Sequence, residues 1–283
     1  MVMVNEVEAH LPVVLVLAGH DPTGGAGLVA DAEAVAACGG WALTIPTALT
    51  VQNCRNVTEV MAVDPDAIRR TSDALGEFEI AAIKVGLIAD MASLDAVTDV
   101  IRRRPGVPVV VDPVLRAGGG SELSTAELVD AFRDRLLPLV DILTPNRYEL
   151  AHLCRDALED DTHRAVELMR QGCQALLVTG TDDPTGRVPA DRVEHTLHAP
   201  DISRQWSWPR LEGRFHGSGC TLASSLAARL AAGESLVTAC EQAQAFTWQA
   251  LAHGWQPGRD QSLPRRLWRL PAVIESATQT LRN

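Results

Sequence analysis

The segment VVLVLAGHDPTGGAGLVAD, from Val13 to Asp31, reads as a strand, a tight turn and a helix start in unbroken succession. Val13–Ala18 is a continuous apolar run, the pattern of a strand buried on both faces of a parallel sheet. Gly19-His20-Asp21-Pro22-Thr23-Gly24-Gly25-Ala26-Gly27 ends that strand in turn-forming residues, and Gly27–Cys38 reads as the first helix. Working outward, the same alternation recurs. Ile80–Ile88, Val107–Val111, Ile142–Thr144 and Ala175–Thr179 are short Val- and Ile-rich runs. Between them Asp90–Arg104, Thr125–Leu137 and Ala165–Gln171 carry helical patterning. Strand and helix in alternation predict a three-layer α/β/α fold around a central, mostly parallel sheet.

The stretch Asp182–Phe215 departs from that rhythm. It holds Pro184, Gly186, Pro189, Pro200 and Pro209 around a β-like run at Val193–Leu197, and predicts loops with a small antiparallel edge. Gly219–Ala232, with Leu222, Leu226 and Leu230 at helical spacing, and Leu236–His253 read as the last helices. Pro257–Arg269 mixes proline and arginine and is expected to wrap the surface. With no low-complexity linker or repeat, residues 1–283 are expected to form a single domain.

A formal net charge of −11 disfavours a nucleic-acid surface or attraction to acidic lipid. Lys84 is the sole lysine, so no other lysine can serve a phosphate. The six cysteines are scattered without a C-x-x-C pair, which suits a reducing cytosol rather than a disulfide framework. Glu6 and Glu8 precede the first apolar run where a signal peptide would carry positive charge, and no stretch is long enough to span a bilayer. A cytoplasmic protein without membrane association is expected.

Three constellations carry chemistry. His216-Gly217-Ser218-Gly219-Cys220-Thr221 runs directly into the Leu222 helix. Two glycines at a helix start let backbone N–H groups converge where the helix dipole is positive, making an anion hole suited to phosphoryl transfer. A plain loop-to-helix junction has the same composition. Cys220 falls in the first turn, where a helix N-terminus favours thiolate, so it is a candidate base; most free cysteines are simply small buried hydrophobes. The Gly19–Gly27 turn has neither dinucleotide-loop spacing nor the Gly-Lys-Ser/Thr of a phosphate loop, and remains a ligand-binding turn at a strand's carboxyl end. Asp31, one helical turn on, is placed to reach a substrate hydroxyl or else to sit in solvent. Finally, Asp112 and Glu149 follow strands in Asp112-Pro113-Val114 and Thr144-Pro145-Asn146-Arg147-Tyr148-Glu149. Such carboxylates can organise magnesium beside substrate phosphates, although each alone would serve as a helix cap or loop charge.

Together LAGHDPTGGAGLVAD, TALTVQN (Thr47–Asn53), IKVGLI (Ile83–Ile88), VVDPVLRAGGG (Val110–Gly120), ILTPNRYEL (Ile142–Leu150) and HGSGCTLASSLAARLAAG (His216–Gly233) resemble the hydroxymethylpyrimidine/phosphomethylpyrimidine kinases of the ribokinase-like superfamily, from about Val13 to His253. The resemblance implies an ATP- and Mg2+-dependent kinase acting on 4-amino-5-hydroxymethyl-2-methylpyrimidine and then on its monophosphate. It implies Cys220 as catalytic base, with Gly217, Ser218 and Gly219 forming the anion hole. Gly19, Asp31, Gln52 and Leu87 fall on the substrate side, with Gln52 at the aminopyrimidine edge. Thr179, Gly180, Asn146 and Arg116 fall on the nucleotide side, and Glu149 and Asp112 at the metal. It further implies a homodimer, to whose interface the Trp206–Trp208 stretch is a candidate contributor if it does not pack within its own chain. Departures cluster at the nucleotide: Arg116-Ala117-Gly118-Gly119 replaces Ala-Lys-Ser-Gly, and Val178-Thr179-Gly180-Thr181 lacks a common lysine. Arg116 is the expected substitute cation, and the glycines of Asp112–Ser121 mark a candidate moving loop. A pyridoxal kinase and a non-catalytic pyrimidine sensor are the competing readings, with Gln52 and Cys220 discriminating the first.

Overall fold

The computed structural model describes residues 11–116, 120–155, 160–181 and 188–270. Its elements in chain order are β1 (Val13–His20), α1 (Gly27–Ala37), β2 (Trp41–Gln52), β3 (Val57–Ala62), α2 (Pro65–Ala74), β4 (Ile80–Val85), α3 (Met91–Arg102), β5 (Val109–Val111), α4 (Ala126–Ala131), β6 (Ile142–Leu143), α5 (Arg147–Leu153), α6 (Asp161–Arg170), β7 (Ala175–Thr179), β8 (Arg192–Ala199), β9 (Ile202–Pro209), α7 (Ser218–Ala231) and α8 (Leu236–Ala252). The strands form one nine-stranded sheet in the order β3-β2-β1-β4-β5-β6-β7-β8-β9. From β2 to β7 neighbouring strands are parallel, while β3 at one edge and the β8–β9 hairpin at the other are antiparallel.

The two-residue period of the strands sorts their side chains between two cores. Leu15, Leu17, Ile83, Val85, Val109, Val111 and Leu143 pack with Ile68, Leu94, Leu128, Leu150 and Leu168 of α2 to α6. Val14, Val16, Ala18, Ala82, Val110, Ile142 and Leu177 pack with Val35, Leu222, Leu226, Ala239 and Ala243 of α1, α7 and α8. Three layers result. Lys84 shares the parity of Ala82 and so points into the α1–α7 side rather than into solvent. After β1 the chain runs outward to β2 and β3 and then returns on the other side as β4. The crevice at that reversal, beyond the carboxyl ends of β1 and β4, is where such sheets take ligands.

Several boundaries differ from the sequence reading. β2 carries Pro46, which argues against a central strand. The proline is tolerated because pairing with β1 shifts register just beyond it, between Ala18 and Gly19. The expected helix Thr125–Leu137 is regular only over α4, then widens into a π turn at Phe132–Leu136 ahead of Pro138. Residues Pro257–Arg269 do more than wrap the surface, since Gln261, Leu263 and Arg266 are buried. Trp206 packs partly buried against the α7–α8 core. The candidate moving loop lies outside the described residues at 117–119, as do Pro184 and Gly186 of the atypical stretch and Glu6 and Glu8 near the N-terminus. Among the described residues no helix is long and apolar enough to cross a membrane.

Candidate active site

One cavity of about 460 Å³ opens at the switch point. Its floor is built by the two glycine-rich segments. In the first, Asp21 is buried and acts as the hub. Its carboxylate accepts hydrogen bonds from the Thr23 amide (2.8 Å), the Thr23 hydroxyl (2.8 and 2.9 Å) and the Ala26 amide (2.8 Å). Nε2 of His216 lies 2.7 Å from the same carboxylate, joining the two glycine segments. Burial alone would raise the Asp21 pKa, but the His216 and Thr23 interactions outweigh it and leave it lowered. Gly27, at φ +60°, stands where an added Cβ would come within 2.2 Å of the Gly19 carbonyl. Only glycine allows that turn to close.

The second segment caps α7. Gly217 is its N-cap at φ +84°, and a Cβ there would lie 1.8 Å from the Gly25 carbonyl. Two main chains thus meet with no side chain between them. The amides opening α7 have no partner within the helix and face the dipole's positive end, which makes this an anion-binding terminus. Asp112, at the carboxyl end of β5, comes up beside it: a Cβ on Gly219 would lie 3.3 Å from its carboxylate.

Cys220 lines the cavity but does not meet the expectation of a resting thiolate. Burial pushes its thiol up to about 12, and the carboxylates of Asp31 and Asp112 add to this, against the pull of Lys84 and a bond from the Gly27 amide. The helix terminus is outweighed because the site is deep and two carboxylates stand near. The Asp112 carboxylate stands near the thiol, and its own pKa is raised by burial, partly offset by Lys84.

Asp31 is also placed differently from its sequence reading. It neither enters the cavity nor sits in solvent. Its carboxylate is fully buried between Nζ of Lys84, at 2.8 and 2.9 Å, and the hydroxyl of Ser224, at 2.7 Å. Lys84 reaches the cavity wall instead. Burial would lower the Lys84 pKa, but Asp31, with Cys220 and Asp112, overrides it and holds the ammonium charged. The single lysine is thus the buried counter-charge to Asp31 at the cavity wall, and residue spacing alone gives no sign of the 53-residue pairing that places it there.

Gly19, Gln52 and Leu87 line one end of the cavity together with Thr50 and Val57. Gln52 Nε2 donates to Thr50 Oγ1 at 2.7 Å, which fixes the amide's direction. A Cβ on Gly19 would touch Leu87 at 3.0 Å, so that glycine keeps the end open. Thr144, Asn146, Glu149, Thr179 and Thr181 line the other end, with Trp208, Arg210 and Trp248 at its outer wall. Sequence reasoning missed these last three: Trp208 and Arg210 lie in a proline-broken stretch without periodic signal, and Trp248 is one apolar residue among many on α8. Asn146 and Glu149 form a capping box on α5: Asn146 Oδ1 accepts from the Glu149 amide at 2.8 Å and Glu149 Oε2 from the Asn146 amide at 2.9 Å.

Two expected nucleotide-side residues have other occupations. Gly180 is absent from the cavity wall; its amide donates to Nδ1 of His195 at 3.2 Å, and a Cβ there would lie 2.1 Å from the Glu194 carbonyl. Arg116 lines the cavity, yet it pairs with Glu122 at 2.8 Å and stacks on Tyr148 at 3.8 Å. Among the described residues no three His, Cys, Asp or Glu side chains converge as a metal cage. The carboxylates present fit magnesium, which keeps most of its waters and takes one or two protein ligands beside phosphate.

The family model described as phosphomethylpyrimidine kinase matches residues 21–264. A hydroxymethylpyrimidine/phosphomethylpyrimidine kinase of Rhizobium meliloti is 33% identical over 85% of the chain and 90% of its own length. The protein of the same description from Escherichia coli is 31% identical over 84% and 90%. An ADP complex of Bacillus subtilis pyridoxal kinase superposes with a TM-score of 0.81 at 24% identity, covering 92% of this chain and all of the other. At that identity the superposition speaks for the three-layer fold alone.

Proposed function

From the premise that the chain belongs to the phosphomethylpyrimidine kinase family of ribokinase-like phosphotransferases, we propose that it phosphorylates the hydroxymethyl group of 4-amino-5-hydroxymethyl-2-methylpyrimidine and then extends the monophosphate to the diphosphate, with ATP as donor. The observation that carries this is the single cavity joining three parts: the Gln52–Leu87 end, the Gly217–Cys220 helix start and the Thr179–Trp208 end.

In this reading Gln52 presents its amide to the aminopyrimidine edge, with Gly19 and Leu87 leaving room for the flat ring. The acceptor oxygen attacks the terminal phosphorus, the bond to ADP breaks, and the amides opening α7 stabilise the transferring group. The hydroxyl proton moves to Cys220 Sγ as the thiol passes its own to Asp112, whose carboxylate lines the same cavity. Burial holds Cys220 as a thiol at rest, so a relay fits better than a pre-formed thiolate. Glu149 would hold magnesium, which when bound would supply charge neutralisation beside the phosphates. Thr179, Thr181 and Asn146 flank the polyphosphate. A single domain, a homodimeric assembly and a cytoplasmic location belong to the same proposal.

The test is ADP release with Mg-ATP and, separately, the pyrimidine alcohol, its monophosphate and pyridoxal, with Cys220→Ala alongside. Turnover on both pyrimidines and a loss on the order of 100-fold in the variant are expected. Preference for pyridoxal would reassign the substrate. Binding of the pyrimidine with no turnover would leave a sensor of the same fold.

A further inference from the structure

Arg266 lies two residues beyond the segment matched by the family model, in the stretch expected to wrap the surface. Its side chain is 1% exposed. The guanidinium inserts between α1, the Gly24–Gly25 turn and the first turn of α7, and spends its donors on all three. Nε donates to Thr221 Oγ1 at 2.8 Å, Nη1 to the Gly24 carbonyl at 3.2 Å and to Glu33 at 3.1 Å, and Nη2 to the Gly25 carbonyl. Thr221 in turn donates its hydroxyl to the Gly217 carbonyl at 2.8 Å. A closed ring follows: Gly25 to Arg266, to Thr221, to Gly217, whose Cα faces Gly25 again across the contact that excludes a Cβ.

We propose that Arg266 is a positioning residue for phosphoryl transfer, its planar fork setting the spacing between the glycine-rich turn and the amide-bearing start of α7. This rests on the kinase reading for its kinetic consequence, though not for its structural one. The fork suits the task because it carries five N–H donors in fixed directions, where an ammonium carries three at one point. His216 and Asp21 tie the same two segments on the cavity side, so Arg266 completes the clamp from behind. Displacing the anion-binding amides by about an ångström lowers the rate on the order of 100-fold, while substrate binding elsewhere in the cavity is largely kept.

Arg266→Ala is therefore expected to lose about 10- to 100-fold in kcat with KM for alcohol and ATP within about threefold. Millimolar guanidinium should restore part of the rate, and Arg266→Lys should stay nearer the alanine variant than wild type. The neighbouring Arg265→Ala, whose side chain is exposed and whose backbone bond to Ala250 survives, serves as the wild-type-like control. Amide hydrogen exchange at residues 218–221 should quicken at least about tenfold in Arg266→Ala. Should that variant not fold, Arg266→Lys, which keeps the buried charge, takes its place in every measurement. A folded variant with wild-type kcat and unchanged exchange overturns the proposal. So does a loss that tracks only the unfolded fraction and ignores guanidinium. If the wild-type protein turns over no alcohol, the kinase reading fails, and the exchange comparison still decides the role of Arg266.

Discussion

The two halves of the cavity are built on different plans. On the α1–α7 side, main-chain turns touch one another directly and every approach is secured by a buried polar group. Asp21, His216, Arg266 and the Asp31–Lys84–Ser224 set all sit below the solvent there. On the β7–β9 side the wall is made of strand ends and arginines that reach water. Arg210 is exposed and donates to the Thr181 carbonyl at 3.3 Å, and Arg116 stays with Glu122 at the rim. The first side holds the atoms that must be placed to a fraction of an ångström. On the proposed function, the second would only have to neutralise a flexible, highly charged chain of phosphates, which exposed guanidinium groups can do from several directions. On that reading, the departures that the resemblance puts at the nucleotide side fall where substitution is tolerated. A lost lysine at the rim is replaceable, whereas a lost glycine at the floor is not.

Substitutions on the two sides should therefore differ in kind, and the largest effect is expected at Gly217. Gly217→Ala places a methyl group on the Gly25 carbonyl and forces φ +84° on a residue with a side chain. Activity should fall on the order of 1000-fold, as expected when anion-hole donors are displaced. Steady-state ADP release measures this, and an active Gly217→Ala protein would mean that the floor yields as readily as the rim.

Next in size is Lys84→Met, which strands the Asp31 carboxylate in the core. A loss of about 3–5 kcal/mol of stability is expected in urea unfolding. Adding Asp31→Asn should recover part of it, because the uncompensated charge rather than the missing contact is the larger cost. Additive losses would contradict that account.

Asp21→Asn sharpens the comparison through pH. The folded pKa of Asp21 lies below its ordinary 3.8, so its stabilisation is present above that value and is lost as pH falls through the folded one. The variant should be less stable by about 1–2 kcal/mol at neutral pH, with the gap to wild type closing in strong acid. A gap that stays constant between neutral pH and about pH 3 would show that the turn does not depend on the charged carboxylate.

The smallest effects are expected at the rim. Arg210→Ala should raise the KM for ATP a few-fold with the unfolding midpoint unchanged, and Arg116→Ala should do less, its guanidinium being already engaged by Glu122. An unchanged ATP KM and kcat in Arg116→Ala would remove that residue from the nucleotide side altogether. A large kcat loss in either variant would erase the distinction between the two halves.

What could be read beforehand follows the same division. The runs at Val13–Ala18, Val107–Val111 and Ala175–Thr179 declare buried parallel strands, and the glycines at 27 and 217 declare close backbone approaches, because both signals are local. β2 was obscured by Pro46, whose tolerance depends on a register shift in a partner strand. The state of Cys220 was misjudged because a helix terminus is visible in sequence, while the two carboxylates and the burial that oppose it are not. Asp31 could not be separated from a solvated helix carboxylate, since its partner is 53 residues away on β4.

Sequence by itself determined the alternation of strand and helix, the placing of two glycine-rich turns at strand and helix ends, and the supply of one lysine. Tertiary structure decided which charges meet. It turned Lys84 toward Asp31 and brought Arg266 beneath both turns; it also set burial and two carboxylates against a thiolate at Cys220. The reason is physical: strand period and turn chemistry are properties of neighbouring residues, whereas desolvation and charge pairing depend on what the folded chain brings within a few ångströms.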